Sequence, residues 1–182
     1  MSVTEPGVQR LRMSWDDYLA LPDDVRAEWV DGEVVVSPRP SRAHGRAVAR
    51  VSAVLVAALP DADVIAESGV HLPGNRLRGP DVMVARPESG DATWVEPPPL
   101  LVVEVLSPST RREDLVRKGP EYAEGAVGQF WVVDPEARAI DVYVNAGGRW
   151  DLLLHLDDGS PTGEVDVAEH GVVFLDLAEI LR

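Results

Sequence analysis

The chain has no cysteine, and Lys118 is its only lysine among seventeen cationic side chains; the other sixteen are arginine. Without cysteine there are no disulfides, no thiolate zinc sites and no cysteine nucleophile. A metal ion would have to be held by Asp, Glu, His or backbone oxygen, a donor set suited to hard ions such as Mg²⁺ or Mn²⁺. Long apolar runs are missing too. No stretch approaches the roughly 20 residues of a membrane span, and Met1 to Ser14 has no apolar segment of the signal-peptide kind, so the expectation is a soluble cytoplasmic protein. Walker A, GxGxxG and GxSxG patterns are absent, and His71, His155 and His170 show no HExxH spacing.

Positive charge is scarce. The net charge of −14 argues against a generic nucleic-acid coat, whose affinity comes from neutralising phosphates. It is unevenly spread, because residues 39–86 carry seven arginines against four acids. Arg42, Arg46 and Arg50 stand at i, i+4 and i+8, so on a helix they form one stripe able to follow a phosphate backbone or simply to meet solvent.

At 182 residues and 45% hydrophobic content the chain suits one domain with a substantial core, residues 1–13 being expected to be flexible. Ser14 predicts the cap of a helix over Trp15 to Leu21, and Pro22 a further turn through Asp23, Asp24 and Arg26. Asp31-Gly32 between two apolar runs predicts a hairpin from Glu28 to Ser37. Ser41 would cap a helix over Arg42 to Leu59. Strands are expected at Val64 to Leu72, Asp81 to Ala85, Leu100 to Leu106 and Gln129 to Val133. A capping box at Thr110 to Glu113 predicts a helix that Gly119-Pro120 interrupts. Residues 140–182 read as an antiparallel C-terminal extension, with strands near Ile140 to Val144, Trp150 to Leu156, Glu164 to Val167 and Val172 to Phe174 before a helix over Asp176 to Leu181. The expected class is α/β (α+β), a mixed β-sheet flanked by helices. The scattered tryptophans read as packing anchors, not as a base-stacking platform.

Two acids break this pattern. Glu104 interrupts the otherwise apolar run Leu100 to Leu106, where an unpaired carboxylate would cost several kcal/mol, of the order of a buried ion. Asp81 begins the strand Asp81 to Ala85. On neighbouring strands about 4.8 Å apart the two carboxylates can converge on one ion, with the Val105 carbonyl completing the oxygen set. Lys118 lies just downstream, and two carboxylates with an amine can hold a divalent metal and activate water for phosphodiester cleavage.

Pro80-Asp81, Glu104-Val-Leu-Ser107-Pro-Ser-Thr, Asp114-x-x-x-Lys118-x-x-x-Tyr122 and Phe130-Trp-Val-Val-Asp134-Pro, with Asp31-Gly-Glu33, Ser37-Pro38 and His44 upstream, resemble the Uma-type restriction endonucleases, a bacterial family within the PD-(D/E)xK nuclease superfamily. The resemblance runs from Trp15 to about Val144. It implies a restriction-endonuclease-like fold, DNA as substrate and Mg²⁺ or Mn²⁺ as cofactor, with Asp81, Glu104 and Lys118 catalytic. Asp81, Glu104, the Val105 carbonyl and Glu33 would bind metal, Glu28 competing with Glu33 because the two straddle one turn. His44, Arg42, Arg46 and Tyr122 would meet substrate. In (D/E)xK the lysine would stand at 106, where this chain has Leu106, so the resemblance implies that Lys118 supplies the amine from the following helix. Replacing Lys118 by alanine is then expected to abolish cleavage and leave the fold intact. A homodimer would suit cutting two strands. Two other readings stay open, a nuclease fold retained as a catalytically silent binding or scaffold protein, and a carboxylate-pair hydrolase acting on a glycoside.

Overall fold

A computed structural model describes residues 7–22, 25–87, 94–96 and 98–182. Asp23 and Asp24, on which part of the expected turn falls, lie outside the described residues.

The architecture is mixed α+β, with two six-stranded sheets and a separate hairpin. The first sheet contains β1 (Gln9–Arg12), β2 (Ala27–Val30), β3 (Glu33–Val36), β5 (Gly69–Leu72), β6 (Arg76–Arg78) and β8 (Trp94–Val95). Residues 9–12 are therefore paired backbone, not a flexible tail, their register running from Gln9 opposite Val36 to Arg12 opposite Glu33. The β2–β3 turn takes the form its sequence dictates, Asp31 and Gly32 both having positive φ (46° and 88°), as a two-residue hairpin turn requires.

The second sheet has the order β12-β11-β10-β9-β7-β4, with β4 (Asp63–Ala66), β7 (Val82–Ala85), β9 (Leu101–Val105), β10 (Gln129–Asp134), β11 (Ala139–Asn145) and β12 (Trp150–Leu156). The single strand expected over Val64 to Leu72 is two strands in different sheets. Glu67, at φ 55°, turns the chain from one into the other. β9 is buried at every position, as its apolar run demands. Alternation sends Leu101, Val103 and Val105 to one face and Val102 and Leu106 to the other. Glu104 shares the second face.

Helix α2 (Arg42–Ala58), capped by Ser41, lays Ala47, Val51 and Leu55 on the first face. The hairpin β13 (Thr162–Asp166) and β14 (Val172–Asp176) and helix α4 (Leu177–Leu181) join the same core through Val165, Val173, Leu175 and Ile180. These residues are 1% exposed or less, and each such aliphatic burial is worth about 1.5–3 kcal/mol. The C-terminal extension thus completes the main core.

The opposite face receives a helical run that begins at Arg111, is π-helical over Glu113–Lys118 and continues as α3 (Gly119–Glu124). The expected break at Gly119-Pro120 does not occur. Proline in an α-helix removes one donor and clashes with the carbonyl four residues back. Here the wider π turn, with Gly119 N–H donating to the Asp114 carbonyl, carries the chain through Pro120 without breaking it. The expected capping box at Thr110 is also not formed. Ser107 Oγ accepts from the Thr110 N–H, and Glu113 bonds Arg10 and Arg78 instead.

Candidate active site

β7 and β9 are adjacent and antiparallel, Val82 standing opposite Val103. Asp81, just before β7, therefore arrives beside Glu104, and its Oδ2 accepts the Val105 N–H at 2.8 Å. The other oxygen, Oδ1, is 3.2 Å from His44 Nε2 and 3.4 Å from an Arg26 nitrogen. His44 reaches it because the Ser41 cap fixes the first turn of α2, Ser41 Oγ accepting the His44 N–H.

Glu104 is 1% exposed. Its Oε1 accepts from Tyr122 Oη at 2.7 Å and from Lys118 Nζ at 3.1 Å. Lys118 also pairs with Glu28 at 2.8 Å and with Asp114 at 3.5 Å, and donates to the Gly79 carbonyl at 3.3 Å. Asp114 and Lys118, four residues apart on the π-helical turn, share one face and are both buried. Leu106, two residues after Glu104, packs in the apolar cluster with Tyr122 and Phe130.

Behind the lysine lies Arg78, fully buried on β6. It donates to Glu28 at 2.8 Å and Glu113 at 3.0 Å, and its Nε and NH2 form a fork with Glu121 at 2.6 and 3.0 Å. Glu28 thus spans the two cations, its Oε1 also accepting the Gly79 N–H. A guanidinium suits this position, because its planar fork can satisfy several carboxylates at once.

The cluster holds more carboxylates than its cations neutralise. Burial, reinforced by Asp114, Asp81 and Glu28, pushes the Glu104 carboxyl well above the usual carboxylate range, against the pull of Lys118. Burial raises Asp114 in the same way. For Glu28, burial is outweighed by Lys118 and Arg78, and its carboxyl falls below the usual range. Burial is likewise outweighed at Asp81, chiefly by His44, which lowers it. Lys118 is held charged: desolvation opposes its ammonium, but Glu104 and Glu28 raise it well above the ordinary lysine value.

These groups line an open cleft of about 910 Å³. Of the residues singled out in the sequence, Asp81, Glu104, Lys118, Tyr122 and His44 come together, His44 both bonding Asp81 and lining the cleft. Val105 enters through its N–H. Glu33 does not join them. It lies next to the hairpin turn, its side chain 42% exposed and paired with Arg10, whereas Glu28, two residues further along the same sheet face from Val30, reaches Lys118. Arg42 and Arg46 are exposed on α2 and do not line the cleft, whose arginines are Arg26 and Arg39. The sequence reading missed Arg78. The signal was there in Arg76-Leu-Arg78, alternating polar and apolar two residues before Pro80-Asp81.

A mixed sheet that ends in paired carboxylates beside a buried ammonium defines a protein of the nuclease-fold class. A family model described as "Uma2: Putative restriction endonuclease" matches residues 15–177, and the chain belongs to that family. Its structure is similar to a crystal structure described as a putative nuclease belonging to DUF820 from Anabaena variabilis, with a TM-score of 0.75 at 17% identity over 93% of this chain and 97% of that one. At that identity the likeness speaks to the fold. No curated protein matches.

Proposed function

We propose that the chain is a Mg²⁺- or Mn²⁺-dependent endonuclease that hydrolyses phosphodiester bonds in DNA. The observation that carries this reading is the ammonium of Lys118, 3.1 Å from Glu104 and beside Asp81, in a cleft open to a substrate. Among the described residues no three His, Asp or Glu side chains are arranged to grip an ion by themselves. The donor chemistry nevertheless fits, because Mg²⁺ commonly takes one or two carboxylates and completes its shell with water and substrate oxygens. The surplus negative charge that raises Glu104 is also what a divalent cation would relieve. Asp81 and Glu104 would hold the ion, which when bound polarises the phosphate and makes its water more acidic.

The remaining groups have definable work. Val105 N–H, His44 and Arg26 fix the Asp81 carboxylate, and Tyr122 fixes that of Glu104. Glu28 and Asp114 hold the Lys118 ammonium within reach of the attacked phosphate, where it stabilises developing negative charge.

Incubation of supercoiled and linear DNA with and without Mn²⁺, alongside Asp81→Asn and Glu104→Gln, tests the reading. Cleavage that needs metal and falls at least about 100-fold in either variant is expected, the scale of losing one electrostatic contact in a transition state. Metal-independent cleavage, or full activity in both variants, would overturn it. One observation favours the alternative of a silent binding protein: Lys118 is already engaged by three carboxylates. In that case Mn²⁺ would leave the thermal midpoint unmoved.

A further inference from the structure

The cleft is not uniformly polar. Asp81, Glu104, Asp114 and Lys118 come from the second sheet and the π-helical turn, but α1 (Trp15–Leu19), the segment after it, β6 and β8 contribute Tyr18, Leu21, Val25, Leu77 and Trp94 to the same cavity. Tyr18 and Trp94 are half-buried outer members of an aromatic cluster around Trp15, with ring centroids 5.3 and 6.0 Å from it. Leu19 and Val25, also in the lining, are 52% and 36% exposed. Exposed apolar side chains gathered at a cleft mark a binding surface. Two arginines accompany them. Arg26 pairs with Asp81 and Glu67, and Arg39 makes no ion pair among the described residues.

Depth limits the occupant, because the acids lie inside a cleft of about 910 Å³ and not on its rim. The carboxylates are 6% and 1% exposed, so a phosphate must enter the cleft to reach them. We propose that the cleft takes an unpaired nucleotide, from single-stranded or locally opened DNA, stacking its base against Tyr18 and Trp94 while Arg26 and Arg39 meet its backbone. This rests on the nuclease reading and specifies its substrate. Aromatic faces accept any base, so the contact selects for unpairing and not for sequence. It also revises the expectation that the tryptophans serve packing alone. Trp15 and Trp29 do so, but Trp94 reaches the cavity.

Binding of a labelled 12-nucleotide thymidine strand, the same strand with abasic sites, and a 12-base-pair duplex is measured by fluorescence anisotropy. Ca²⁺ replaces Mn²⁺, and the intact chain is compared with Trp94→Ala and Trp94→Phe. The single strand should bind at least 10-fold more tightly than the duplex. Trp94→Ala and base removal should each cost roughly 5- to 100-fold, the range of one aromatic stack, and Trp94→Phe should restore most of it. If Trp94→Ala fails to fold, the abasic strand on the unaltered chain reads the same contact. Equal affinity for abasic and intact strands, or a preference for duplex, overturns the proposal. Cleavage of the same strands in Mn²⁺ separates the two claims. Duplex cut normally by Trp94→Ala refutes the unpaired-nucleotide proposal and leaves the nuclease reading standing; neither binding nor cleavage of any strand refutes both.

Discussion

The charged half of the cleft and its apolar half are built by opposite rules. In the charged half the two central cations are buried and each is fixed by several partners: Arg78 meets Glu28, Glu113 and Glu121, and Lys118 meets Glu28, Glu104 and Asp114. In the apolar half only Leu77 is buried; Tyr18, Leu21 and Trp94 are partly buried, and Leu19 and Val25 are exposed. The first arrangement holds charges still at a cost in desolvation; the second leaves surface for a ligand to cover. On the proposed function, chemistry and recognition would fall to different parts of one cavity.

The largest test of this contrast is Lys118→Ala. Removing one member of a buried ion cluster leaves uncompensated charge and costs about 3–5 kcal/mol, so the variant should lose cleavage and also melt at a visibly lower temperature. The sequence alone suggested an intact fold; the burial of Lys118 is the reason to expect a loss of stability as well. Parent-like stability would mean that the cluster is not as tightly coupled as its distances imply. Arg78→Met should show a comparable loss, read by denaturant unfolding, because three carboxylates lose their shared partner.

Smaller effects separate Glu28 from Glu33. Glu28→Gln should destabilise by about 1–3 kcal/mol and lower cleavage, as it weakens the hold on Lys118 and Arg78. Glu33→Gln should stay within about 1 kcal/mol, with cleavage unchanged, because its pair with Arg10 is partly exposed. The reverse order in a cleavage assay would restore Glu33 as the acid of the site. Smallest of all, Arg42→Ala with Arg46→Ala should alter stability by no more than about 0.5 kcal/mol. Their contribution to DNA binding should vanish as salt rises, since neither lines the cleft.

Much of the chemistry was legible because one chain-local oddity, a carboxylate in a buried strand, has few physical solutions. Glu104 required a cation, and Lys118 was the single amine side chain downstream of it. The hairpin at Asp31-Gly32 and the helix capped by Ser41 were legible for a similar reason: turn geometry and capping are decided within four residues. Local rules erred where two readings competed. Gly119-Pro120 breaks an α-helix but is carried by a π turn, and Thr110 to Glu113 has the form of a capping box, yet distant arginines claim Glu113.

The sequence by itself determined most strands of the second sheet, the hairpins, the acids and the single ammonium, because alternation and turn chemistry are properties of neighbouring residues. It could not determine which of Glu28 and Glu33 meets Lys118, that Arg78 braces Glu28, or that Trp94 shares a cavity with Glu104. Those depend on how two sheets and a widened helical turn approach one another. Separations of tens of residues along the chain become about 3 Å only after the apolar faces have packed.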